Sequence, residues 1–260
     1  MKHVLPLLGL ALLFQPRIAC ANPPECEINV NVDLTEAGKK ITLPTRANPA
    51  YYLPVAGGFK EEGAAVASAD KPPPRLKVLH LLAVALAEQG YLVMGPKTPP
   101  PSVLLTFTWG SMNPEIDEMG DSDTPAEAFY NQGQMLALVG GHTLNNLDLY
   151  MEREPVMQGA KEDRFFVIVS AYDFAAAQQR KKVLLWRTKM STPSARVTFG
   201  EVVGPLIKSG APHFGRETDR PVWVSAPLDH QGKVELGELT VKEYLGAGPA
   251  SAPKEKAKKP

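Results

Sequence analysis

The sequence is short of cysteine: its 260 residues hold two, Cys20 and Cys26. A disulfide framework of the kind that staples small secreted domains is therefore excluded. Long apolar runs are missing as well. "VLPLLGLALLF" at 4–14 is eleven residues long, and a membrane-spanning helix needs about 20. No charge of one sign dominates, since 28 Lys and Arg face 28 Asp and Glu. That balance gives no reason to expect nucleic acid as a partner. The chain also lacks a GxSxG elbow, a GxxxxGK[ST] phosphate loop and any HxxxH pair. No catalytic, cofactor-binding or metal-ligating residue is assigned from motifs, and no cofactor is expected.

What the apolar run does fit is the core of a secretory signal. Lys2 precedes it, and "ACA" at 19–21 follows as a small-x-small cleavage pattern. Residues 1–21 therefore read as a signal peptide, with the exported chain beginning at Asn22 in the periplasm or outside the cell. Lipid anchoring at Cys20 fits less well, because Arg17 stands where such a signal carries an aliphatic residue. Cleavage would leave Cys26 as a lone thiol. It would either pair between chains or sit idle in a mobile leader. No later segment is long and apolar enough to cross a membrane.

Proline is abundant, at 25 residues. Triplets at 72–74 and 99–101 bracket "RLKVLHLLAVALAEQGY", a helix of about fourteen residues ending at Gly90. Its apolar residues fall nearly all round, which predicts a mostly buried helix with His80 in the core or at its boundary. In "SVLLTFTWG" Val103, Leu105, Phe107 and Trp109 alternate with Thr106 and Thr108, the pattern of a half-buried strand. "RFFVIVSAYDF" and "KVLLWRTKM" read as the arms of a hairpin with a longer loop. On the second arm Trp186 should face the core and Arg187 the solvent. "EINVNVDL", "VWVS" and "KVELGELTV" are further strands.

"TPAE" at 124–127 and "TFGE" at 198–201 are capping boxes that open helices. Pro205 should kink or shorten the second of these helices. Residues 140–164 read as irregular, with a helical turn at most. Residues 246–260 carry four lysines and one acid but no large apolar side chain. They form a disordered Lys/Pro/Ala-rich tail, either a solvated end or a contact with anionic surfaces such as lipid headgroups. Residues 22–245 are then expected to form one α+β domain, a mainly antiparallel sheet flanked by helices.

Two features bear on chemistry. The acidic run "EIDEMGDSD" at 115–123 lacks the glycine and closing Glu of an EF-hand, and acids are also favoured just before a helix N-terminus. His142 lies in the glycine-bounded "GGHTLNN" and His213 in "APHFGRETD". Both are candidate site residues because loops often carry function. The order "ALAEQGY", "PSVLLTFTW", then "FFVIVSAYDF … KVLLWRTKMS" resembles a group of bacterial envelope proteins of unknown function, mostly small lipoproteins. The resemblance covers about residues 75–110 and 164–210. It implies an antiparallel sheet with flanking helices and an envelope location, but no activity and no site residue. The expectation is an exported envelope or periplasmic protein that binds an unknown protein or envelope component, or is structural. A periplasmic hydrolase with its site near His142 or His213 is the alternative.

Overall fold

The computed structural model describes residues 24–63, 72–114 and 132–229. The leader with Cys20, the acidic run, the helix start at Thr124, His230, the strand read at 233–241 and the tail lie outside the described residues. The described residues form seven strands: β1 Glu25–Leu34, β2 Ala50–Glu62, β3 Tyr91–Val93, β4 Val103–Met112, β5 Arg164–Asp173, β6 Leu184–Pro193 and β7 Val222–Pro227. They make one mixed sheet in the order β3-β2-β4-β5-β6-β1-β7. β2 runs parallel to β3 and β4, and the other four pairings are antiparallel. The sheet is thus mostly antiparallel, with helices on its faces. These are α1 Arg75–Glu88, α2 Gln132–Val139, α3 Tyr150–Gly159, α4 Phe174–Gln178 and α5 Phe199–Gly210.

Strand register explains why one face is apolar. Leu105, Ala171, Trp186 and Leu34 lie side by side across β4, β5, β6 and β1. Trp109, Val167, Met190 and Val30 form a parallel row four residues along. Side chains alternate along a strand, so these rows share one face. Helices α1 and α5 cover it, packing Val78, Leu82 and Leu86 together with Val202, Val203 and Leu206 into the same core. The capping box at Thr198 forms as read, with both the Thr198 amide and its hydroxyl donating to the Glu201 carboxylate.

Pro205 does not shorten α5, which runs on to Gly210. Proline has no amide to give the Glu201 carbonyl one turn earlier. That carbonyl instead accepts the Asp229 N–H at 3.1 Å, so the missing helix bond ties down the chain after β7.

Several expectations are corrected. Helix α1 is buried along one stripe only: Leu76 is 80% and Val84 48% exposed, and His80 faces solvent. A helix lying on a sheet with nothing described above it has one side to bury, however apolar its other side. Residues 140–164 are not irregular. They hold a 3-10 turn, Gly141–Asn146, and the ten-residue α3, whose polar surface and internal Pro155 hide its period. β2 and β3 carry no clean alternation. β2 contains Pro54, Gly57 and Gly58 and a bulge between Ala56 and Gly58, features that weaken a strand's signal. At Gly110 in β4 the backbone has φ +153, and a Cβ would sit 1.7 Å from the Lys60 carbonyl oxygen. Glycine lets β2 and β4 close at that point.

Cys26 does not lie in a mobile leader. It is a buried residue of β1, opposite Ala226 of β7. Burial pushes its thiol pKa up, and the contact with Thr192 lowers it by less. A protonated, covered thiol is a poor nucleophile. Cys26 is expected to stay silent to a disulfide-exchange reagent in native buffer and to react once urea unfolds the chain. Fast native-state labelling of Cys26 would show that β1 is not seated.

Candidate functional site

The opposite face of the sheet is built from the alternate positions of the same strands, and it is polar. Thr106, Ser170, Arg187 and Asp33 form one row across β4, β5, β6 and β1. Thr108, Ile168, Lys189 and Asn31 form the next. Beyond these, Met112 and Phe166 turn apolar and pack under α2 and α3 with Met135, Leu138, Val139 and Val156. The helices therefore cover part of this face and leave the Thr106 row less covered, with Ser170 buried and Thr106, Arg187 and Asp33 half-buried.

At the boundary sits a buried charge. Lys189 is 4% exposed; its ammonium donates to Asp33 Oδ1 at 2.8 Å and to the Ala137 carbonyl at 2.5 Å. Asn31 Nδ2 donates to the neighbouring Leu138 carbonyl at 2.8 Å. The last carbonyls of a helix have no partner within it, and a cation at that end is favoured. Lys189 and Asn31 thus receive the C-terminus of α2 from the sheet below. Burial is the largest influence on the Lys189 pKa and lowers it, while Asp33 pulls it back up.

His142, in the 3-10 turn after α2, also reaches Asp33, with Nδ1 3.3 Å from Oδ1. Burial lowers its pKa, Lys189 adds to that, and Asp33 opposes it. The imidazole is therefore held neutral at pH 7. His213 stands on the other side of the sheet. It ends the 3-10 turn Ala211–His213 after α5, and its carbonyl accepts the Thr188 hydroxyl of the apolar face at 3.5 Å. Its pKa is lowered by burial and by Arg216. The structure therefore joins His142 to a carboxylate and does not bring His213 to it. Among the described residues no group of three or more His, Cys, Asp or Glu side chains is placed to hold a metal ion.

Two clefts open on the less covered rows. One, about 360 Å³, is lined by the cations Lys60, Arg187 and Lys189 and the carboxylates Asp33 and Glu62, with Thr106 and Ser170 between them. The Arg187 guanidinium donates through Nε to Ser170 Oγ at 3.0 Å and forms no ion pair among the described residues. The other cleft, about 460 Å³, lies between the sheet and α4, with Leu104, Tyr172 and Arg180 among its walls. Thr106 and Tyr172 line both. Reading by motif missed Asp33, Arg187 and Lys189 as a group, because their meeting depends on register between β1 and β6. One signal was present in the sequence. "NVNVD" and "RTK" both place polar residues at every second position of strands whose other positions are core.

No family model and no curated protein matches the chain. Two solved structures of the PelC dodecamer from Paraburkholderia phytofirmans align with it. One, a point variant, has a TM-score of 0.31 at 11% identity, covering 70% of this chain and 92% of that one. The other has a TM-score of 0.31 at 8% identity, covering 74% of this chain and 99% of that one. No helix of the described residues is long and apolar enough to cross a membrane.

Proposed function

We propose that the chain is an exported, non-enzymatic binding protein of a bacterial envelope, with its ligand site on the less covered rows of the second sheet face. One observation carries the reading. A cleft of about 360 Å³ opens on the polar floor of the sheet, and Arg187 lines it without an ion pair among the described residues, although Asp33 and Glu62 line the same cleft. A cation held at a cleft with no ion-pair partner is available to a ligand. In this proposal residues 1–21 leave as a signal, 22–245 fold as one domain, and 246–260 form a tail. The test is native mass spectrometry of protein purified from the envelope of the producing cell. The expected species begins at Asn22 without an acyl group and carries a small ligand, which a Thr106→Trp variant that fills the floor loses. A ligand-free wild type, or a ligand kept by the variant, would sink the reading.

The His142–Asp33 contact favours a second reading, a hydrolase with neutral His142 as general base. Against it, Asp33 already serves Lys189, and no hydroxyl donates to His142 among the described hydrogen bonds. Hydrolysis of model esters that is abolished by His142→Ala would favour this second reading over the first.

A further inference from the structure

The cleft beside α4 has a more specific chemistry than the face as a whole. Its walls include Leu104, Tyr172 and Ala177, and its rim is Arg180, Lys181 and Lys182. All three cations are exposed, and no carboxylate lines the cleft. The volume of about 460 Å³ falls within the roughly 300–1,000 Å³ of small-molecule sites.

The way α4 ends adds a second, independent observation. The Lys181 N–H donates to the Ala176 carbonyl at 3.0 Å and the Arg180 N–H to the Ala177 carbonyl at 2.9 Å. This crossed pair is a Schellman ending, and it requires a left-handed residue just past the helix, a place that glycine usually takes. Here it is Arg180, at φ +61. A side chain in that conformation is strained. The strain falls on the residue whose side chain lines the cleft, where glycine would close the same turn without it.

We propose that this cleft binds a small amphiphilic anion, with a phosphate or carboxylate head on the Arg180–Lys182 rim and an apolar body along Leu104 and Tyr172. The proposal rests on the binding reading above and names its ligand class. Apolar walls supply the area, and an arginine beside two lysines supplies charge-assisted donors for an anionic oxygen. The adjoining cleft shares Thr106 and Tyr172 but is also lined by Asp33 and Glu62, so the carboxylate-free rim at Arg180–Lys182 is where an anion is favoured.

The probe is octyl phosphate, titrated by calorimetry into the full chain below its micelle concentration. Inorganic phosphate, octanol and octyltrimethylammonium are run beside it. Octyl phosphate is expected to bind at least about tenfold more tightly than any of the three, since each lacks the head, the body or the sign. The informative variant is Arg180→Gly. It keeps the left-handed turn and removes the cation, so it should raise the melting temperature while weakening octyl phosphate about tenfold. Unchanged affinity in Arg180→Gly would overturn the proposal. So would equal binding of the cationic amphiphile, or binding to phosphatidylglycerol vesicles without any to monomeric octyl phosphate. If Thr106→Trp still strips a ligand from envelope-purified protein while octyl phosphate fails to bind, the ligand class is wrong and the binding reading stands. If no ligand is retained and octyl phosphate still binds, the cleft chemistry stands and the binding reading falls.

Discussion

Trp186→Ala is expected to cost about 3–5 kcal/mol of folding stability, while Arg187→Ala beside it costs about 1 kcal/mol. The two residues are neighbours on β6 and face opposite sides of the sheet. Trp186 is 0% exposed. Its ring stacks on Phe214 at 6.0 Å between centroids and lies tilted to Tyr91 at 5.7 Å. Removing the indole opens a cavity where the middle of the sheet meets the turn after α5, between Tyr91 of β3 and Phe214. Arg187 is half-buried, and its recorded bond is the one to the Ser170 hydroxyl. That is more cover than full solvent exposure, because the row it stands on adjoins the α2 edge. Urea melts of the two variants decide the matter. Equal, small losses would mean that the register of β6 is misassigned.

The second large effect belongs to Asp33. Replacing it with alanine leaves the Lys189 ammonium buried, with the Ala137 carbonyl as its remaining acceptor among the described residues. Breaking one side of a buried pair typically costs about 3–5 kcal/mol. The lower end is expected here, because the Asp33 side chain is 31% exposed. Lys189→Met should be milder, since it removes the buried charge itself and leaves Asp33 access to water and to His142.

The pH dependence has a definite sign. The folded-state pKa of Lys189 lies below the ordinary lysine value of 10.5. As pH rises from below the folded value toward 10.5, the unfolded chain binds more protons than the native one, so stability increases with pH. Asp33 holds the folded value up, so in Asp33→Ala the gain should begin at lower pH and be larger. Tyr52 and Tyr91, pushed up to about 12 by burial, act the other way above pH 10. They are common to both proteins and cancel in the difference. Denaturant melts from pH 7 to 10 should show the stability gap between wild type and Asp33→Ala narrowing as pH rises. A constant gap would mean that Asp33 does not hold up the Lys189 charge.

The parts of the fold that could be read from sequence are those where local pattern and tertiary role coincide. β4 alternates through Trp109 because one face of it is core, while β5 and β6 read as strands from their apolar runs although both of their faces are largely buried. α5 announces itself through the Thr198–Glu201 box. β2 could not be read, because the parallel pairing with β4 tolerates a proline, two glycines and a bulge that break its alternation. α1 was read correctly in extent and wrongly in burial, since an apolar composition does not say how many neighbours a helix has. Of the candidate site, the face of Thr106, Thr108 and Arg187 was legible from strand alternation and His142 from its loop context, but none of their partners was. The carboxylate that His142 meets is Asp33, more than a hundred residues earlier in the chain, and only the β1–β6 register brings Lys189 to the same atom.

The place of β1 in the sheet also sets an order of events. β1 pairs with β6 on one side and β7 on the other. The Thr35 hydroxyl reaches the Leu184 carbonyl across 149 residues, and Glu25 meets Ser225 across 200. Among the described strands, the first made therefore waits for the last two. Closing contacts this distant in sequence is slow, because loop entropy is lost before the pairing repays it. While a ribosome is still short of residue 184, Ile28, Val30 and Val32 have no strand to join. A chain released early, at any point before β6, keeps that apolar strand open on both edges and is a seed for aggregation. The same delay means that the pairings of β1 cannot form before residues 184–227 are available.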